Sequence, residues 1–168
     1  MPGLGGKTLF EENALETAEA LNQINPDFIR IRTLTIPDRS PLFEDYKMGR
    51  FEKCTDIEVA RELLLFIEKL EGITSIVKSD HILNLFADLE GTLPGDKDRM
   101  MTILRDFIAM PSERQRLYQL GRRLGIFSSL SDMDNPYQLT EVERAYRELN
   151  VTPDNIDEIT DELMRRYV

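Results

Sequence analysis

Residues 27–36, DFIRIRTLTI, form the longest β-like run in the chain: β-branched residues recur and no strand breaker interrupts them. Its pleat puts Phe28, Arg30, Arg32 and Leu34 on one face and Ile29, Ile31, Thr33 and Thr35 on the other. Two arginines on a mostly apolar strand are costly to bury without an anion or a carboxylate. Either the strand lines a ligand cavity or its arginine face is wet, and periodicity favours the wet face.

The residues before this run extend the pattern. Thr8 and Glu11 have capping-box spacing, which predicts a helix from near Leu9. Phe10, Ala14, Leu15, Ala18 and Leu21 then share one helical face, and Asn25-Pro26 ends it. The preceding MPGLGGKT is a glycine-rich turn at a helix N-terminus, a place suited to a phosphate or a carboxylate, or else a plain flexible turn. Gly6-Lys7-Thr8 matches the end of a P-loop, but that motif needs glycine where Met1 stands and a strand in front. Loop, helix and strand make the second half of a βαβ unit whose first strand is missing.

The order GLGGK (residues 3–7), helix, NPDFIRIRTLTI, then SPLFEDYKMGRFE resembles the later part of a radical S-adenosylmethionine (radical SAM) domain of the iron–sulfur oxidoreductase type. Such domains carry a turn close to G-L-P-G-E after the fifth barrel strand, and a T-P-L-Y-like segment after the sixth. Gly3, Leu4 and Gly6 match the turn; Gly5 stands for the proline and Lys7 for the glutamate. Ser40-Pro41-Leu42-Phe43 resembles the later segment. The resemblance covers about the first hundred residues. It implies that Gly3, Gly5 and Gly6 lie near S-adenosylmethionine and that Arg30 or Arg32 contacts its carboxylate. It also implies a 4Fe-4S cluster in the full-length protein. The cluster motif CxxxCxxC is absent, and the single cysteine, Cys54, cannot hold four irons. The chain is then the C-terminal part of such an enzyme, without cofactor and inactive alone, and its partner is the missing N-terminal part or a second copy of itself.

Charge and composition narrow the alternatives. One cysteine and one histidine, His81, leave neither a disulfide framework nor a zinc constellation, which implies a reducing, cytoplasmic setting. A net charge of −10 argues against general nucleic-acid binding. No run approaches the roughly twenty apolar residues that span a bilayer.

Residues 37–53 read as a loop with the aromatics Phe43, Tyr46 and Phe51, a substrate-facing lid or ordinary packing. Thr55 and Glu58 form a second capping box, for a helix that Gly72 closes. ITSIV (residues 73–77) reads as a strand parallel to the first. Asp80 and His81 follow at its C-terminal end, where α/β sheets place their chemistry, as substrate-side groups or as the cap of a helix over residues 82–89. Cys54, with no basic neighbour in sequence, reads as structural.

Asp96 opens a helix to Met110, and Ser112 with Gln115 caps a basic one. Arg114, Arg116, Arg122 and Arg123 of the latter read as a solvated face pairing with acidic neighbours. Residues 128–137 are the best linker. Two short helices follow, the first capped by Thr140 and Glu143, the second started by Thr152-Pro153. Val142, Ala145, Tyr146 and Leu149 face Ile156, Ile159, Leu163 and Tyr167 in an acidic αα-hairpin that must dock on something.

The sequence thus predicts a helix-rich α/β chain with two or three strands: the remnant of a radical-SAM-type partial barrel plus C-terminal helices. Residues 1–110 make the α/β part, 111–130 the basic helix and linker, and 131–168 the hairpin appendage. The alternative is a stand-alone acidic interaction protein without enzymatic activity, binding a partner through a strand edge and the hairpin.

Overall fold

The computed structural model describes residues 1–165, and Tyr167 of the expected hairpin lies outside them. Helix α1 (Gly6–Ile24) precedes strand β1 (Phe28–Arg30), short helix α2 (Pro41–Lys47) and helix α3 (Asp56–Lys69). Strands β2 (Ile76–Lys78) and β3 (Gly91–Thr92) follow, then helices α4 (Lys97–Ala109), α5 (Ser112–Arg123), α6 (Pro136–Glu148) and α7 (Ile156–Arg165). The expected helix-rich α/β class is what the described residues show.

Helix α3 starts as its sequence dictates. Thr55 Oγ1 accepts from the Glu58 amide at 3.2 Å, and Glu58 Oε2 accepts from the Thr55 amide at 2.7 Å. Val59, Ala60, Leu63, Phe66 and Ile67 turn inward, against α1, whose small Ala14 and Ala18 allow close approach. Helix α1 itself departs from expectation. It begins at Gly6 with Gly5 at the N-cap, and Thr8 caps nothing. A side chain on Gly5 would lie 2.5 Å from the Leu9 carbonyl oxygen, and Gly6 needs a left-handed φ of +60°.

β1 and β2 pair in parallel, with Ile29 opposite Val77, and β3 adds antiparallel on the far side of β2. The ladder occupies only three residues of the 27–36 run. Beyond Arg30 the run keeps its pleat as far as Arg32, burying Ile29 and Ile31 and exposing Arg30 and Arg32. Its later amides leave the ladder: Thr33 donates to Asn84 Oδ1 at 3.0 Å, and Leu34 to the Pro2 carbonyl at 3.0 Å. The second strand starts three residues later than ITSIV predicts, because the Thr74 amide is taken by Asn25 Oδ1.

No helix forms over residues 82–89, which make successive turns. Three of their carbonyls are collected by α5: Arg122 donates to those of Asn84 and Leu85 and Arg123 to that of Leu83, while Arg122 also donates to the Phe127 carbonyl. Arg122 and Arg123 are therefore part of the interior, whereas Arg114 is exposed and Arg116 reaches the Tyr146 hydroxyl. Phe86, Phe107, Tyr118 and Phe127 cluster beneath, and Gly121 leaves room for the Phe127 ring.

Residues 128–137 fold over a 3₁₀ turn, Leu130–Asp134, with Met133 buried. Helix α6 starts at Pro136, earlier than Thr140 predicts, since Asn135 Oδ1 accepts from the Tyr137 amide at 3.1 Å. Helix α7 starts at Ile156 rather than beside Pro153, because Asn155 turns back to accept from the Thr152 amide. Both helices pack against α5.

Candidate functional site

The pleat of β1 and β2 gives the sheet two unlike faces. Ile29, Ile31 and Val77 enter the core with α1 and α3. The opposite face carries Phe28 and Ile76, 50% and 45% exposed, beside Arg30 and Lys78. A parallel pair normally has both faces covered, so this bare face is the fold's most unusual surface.

At its C-terminal end Arg30 grips Asp80 through two bonds of 2.7 Å, Nε to Oδ1 and Nη2 to Oδ2. The Arg30 bonds, with the added charge of Arg32, hold the Asp80 carboxyl below the usual range and raise Arg30 in turn. His81 is half-buried beside them, its Nδ1 accepting from the Leu83 amide at 3.4 Å. Arg30 and Arg32 are both exposed, and Arg30, Arg32, Asp80 and His81 come together at one end of the sheet. Asn84 fixes that end: it donates to the Ile31 carbonyl at 2.9 Å and to Ser79 Oγ at 3.0 Å.

The glycine turn holds a carboxylate, and it is the chain's own. The Gly3 amide donates to Glu62 Oε2 at 2.7 Å, and Asn13 Nδ2 to Glu62 Oε1 at 2.6 Å. The Lys7 amide goes to the Glu52 carbonyl at 2.9 Å. Burial pushes the Glu62 carboxyl up, partly offset by Asn13, Gly3 and the N-terminal ammonium. Glu62 sits on the buried face of α3 between Val59 and Phe66, a charge at a core position that its helical spacing could have flagged.

Beside the turn lies a cavity of about 340 Å³ reaching Gly3, Lys7, Leu34, Phe51, Asp56 and Asp157. A second, also about 340 Å³, adjoins it against residues 35–39 and Phe43. Tyr46, Lys53, Asp161 and Met164 border both, and the Lys53–Asp161 ion pair stands at their junction. Residues 37–53 thus fold partly as α2 and wall a cleft at the C-terminal side of β1. Asp157 is pushed up by burial and by the nearby charges of Asp56 and Asp161. Sequence reasoning missed Lys53, Asp157 and Asp161, whose roles depend on α7 folding back more than a hundred residues along the chain.

Cys54 is 6% exposed and its thiol is pushed up to about 12, first by burial and then by Glu62 and Glu58. A protonated, isolated thiol does not suit an iron–sulfur cluster, which needs thiolates. Among the described residues no group of three or more His, Cys, Asp or Glu side chains is placed to hold a metal ion. No helix among them is long and apolar enough to cross a membrane.

No family model, curated protein or solved structure matches the chain.

Proposed function

We propose that this chain is the C-terminal part of a radical SAM, iron–sulfur enzyme, supplying wall and strands to a site completed by an N-terminal part, and inactive alone. The observation that carries it is the bare face of β1 and β2: in a barrel, helices cover the outside and this face becomes the lumen. Phe28, Arg30, Arg32, Asp80 and His81 would then look into the interior. The cleft beside Gly3 and Leu34 would open at the strands' C-terminal ends, where barrel enzymes hold their substrates.

This chain's residues do not fit the cluster, so the cluster-bearing cysteines belong to the N-terminal part. The amides of Gly3 and Gly6 are already used, by Glu62 and by the Gly3 carbonyl, and Arg30 and Arg32 are the exposed cations on this face that would meet a ligand carboxylate. Arg30 would do so by exchanging Asp80 for it.

The test is the source DNA upstream of the Met1 codon. We expect an open frame encoding CxxxCxxC, and a longer product that, reconstituted with iron and sulfide, cleaves S-adenosylmethionine when given dithionite. A frame without that motif, or an in-frame stop beside a ribosome-binding site, overturns the enzyme reading and leaves a stand-alone interaction protein.

A further inference from the structure

Carboxylates from two separate helices converge on the cavity beside the glycine turn. Asp56 opens α3, and Asp157 and Asp161 lie one turn apart on α7, where positions i and i+4 share a face. Lys53 pairs with Asp161, and Arg123 Nη2 donates to Asp56 Oδ1 at 2.7 Å. Two acceptors are left over. Asp56, 8% exposed, keeps its Oδ2 buried without a hydrogen-bond partner, and Asp157 has no ion pair among the described residues.

Asp157 reports the imbalance of charge. Its carboxyl is raised by burial and by the charges of Asp56 and Asp161. Lys7 and Lys53, which also line the cavity, do not offset that rise. Carboxylates held against one another in a cleft are what a bound cation would relieve.

The rest of the lining says which cation. Among the described residues no three acidic, His or Cys side chains are grouped to hold a metal ion. Leu34, Val59 and Met164 add apolar surface, and Tyr46 and Phe51 add rings, whose faces attract ammonium groups. The volume of about 340 Å³ is at the small end of ligand sites.

We propose that this cavity binds a small organic amine, its ammonium group held by Asp157 and Asp56 and its apolar or aromatic body against Leu34, Val59, Tyr46 and Phe51. This deepens the preceding reading, on which it rests for the cleft being where substrate is held, and gives that substrate a chemical class.

The probe is phenethylamine, titrated into the 168-residue chain and followed by calorimetry and by amide chemical shifts. We expect a Kd of about 1 mM or tighter, with 2-phenylethanol and 3-phenylpropanoate at least about tenfold weaker. Asp157→Asn should weaken phenethylamine at least about tenfold and leave the fold intact, because it removes one of three mutually repelling charges. Glu12→Gln, which neutralises an exposed carboxylate on α1, should change nothing. Wild-type binding should also weaken as pH falls through the raised Asp157 value, while the amine, with an ordinary value of about 10, stays charged. Asp56, Asp161, Lys7 and Lys53 are the charged groups around Asp157, and Asp157→Asn should remove that pH limb.

No binding, equal affinity for the alcohol, preference for the carboxylate or unchanged binding in Asp157→Asn overturns the proposal. A response to calcium or magnesium in place of the amine overturns it too. Amine binding without CxxxCxxC upstream keeps this inference and ends the radical SAM reading. No binding, beside a longer product that cleaves S-adenosylmethionine, does the reverse.

Discussion

Glu62 and Gly3 are 59 positions apart, yet the Glu62 carboxylate, on a residue 2% exposed, accepts the Gly3 amide at 2.7 Å and so pins the N-terminal turn to α3. A glycine turn at a helix start is built to take an anion, and here the fold supplies one from within. Removing it with Glu62→Ala strands the Gly3 amide and the Asn13 side chain, at a cost of roughly 2–4 kcal/mol in urea unfolding.

The same residue gives a pH signature. Burial raises the Glu62 carboxyl, so the native state holds its proton more firmly than the unfolded chain does. Folding therefore takes up a proton between the ordinary carboxylate value and the raised native one, and stability falls as pH rises through that window. Glu62→Gln carries no such proton. Wild type should lose urea stability relative to Glu62→Gln from about pH 4 towards neutrality, the ordinary Glu value being about 4.3. A flat or rising difference would mean that Glu62 is not desolvated.

Arg123 and Asp56 form a second long-range tie, 2.7 Å between Nη2 and Oδ1, with side chains 2% and 9% exposed. The pair is not fully satisfied: Arg123 Nε and Asp56 Oδ2 are buried without a hydrogen-bond partner among the described residues. Breaking one side leaves a buried charge, so Arg123→Met should cost roughly 3–5 kcal/mol. Adding Asp56→Leu removes that charge, and the double variant should be no less stable than the single one. A double-mutant cycle in guanidinium chloride reads this directly.

Helix starts separate what sequence spacing can and cannot reveal. Thr55→Ala breaks a formed capping box and should cost about 1 kcal/mol. Asn135→Ala should cost about the same, because Asn135 caps α6. Thr140→Ala should stay within about 0.5 kcal/mol, since its hydroxyl only donates back to the Pro136 carbonyl inside the helix. Thermal unfolding of the three variants orders them.

That contrast states how much of the molecule its residues disclose locally. Thr55 with Glu58, the pleat of residues 28–32 and the Phe10, Ala14, Ala18 and Leu21 face of α1 were legible because each depends on neighbours within a turn or two, whereas Leu15, expected on that face, is exposed. The helix expected over residues 82–89 failed because Arg122 and Arg123, about forty residues on, collect its carbonyls and make turns as well satisfied as a helix. The glycine turn reads from sequence as a place for a phosphate or a carboxylate or as a plain flexible turn, and only the packing of α3 shows that the Gly3 amide meets Glu62. The rule that strand ends carry chemistry pointed to Asp80 and His81 and the pleat to Arg30 and Arg32, but that Arg30 grips Asp80 follows only from the pairing of β1 with β2. The opposing Lys53, Asp157 and Asp161 needed the return of α7.

Cys54 follows from the same packing and gives the sharpest reactivity prediction. With its thiol pushed up to about 12, the thiolate fraction at pH 8 is about 10⁻⁴, and the residue is 6% exposed. Attack on a disulfide reagent needs both thiolate and access, so native protein should react at least about 100-fold more slowly than urea-unfolded protein at pH 8. Partial urea should raise the rate in step with the unfolded fraction, because opening supplies the thiolate and the access together. Fast labelling of the native chain would contradict the buried placement of Cys54 between α3 and the residues 49–53 loop. It would also reopen a ligand role that its protonated, enclosed thiol now argues against.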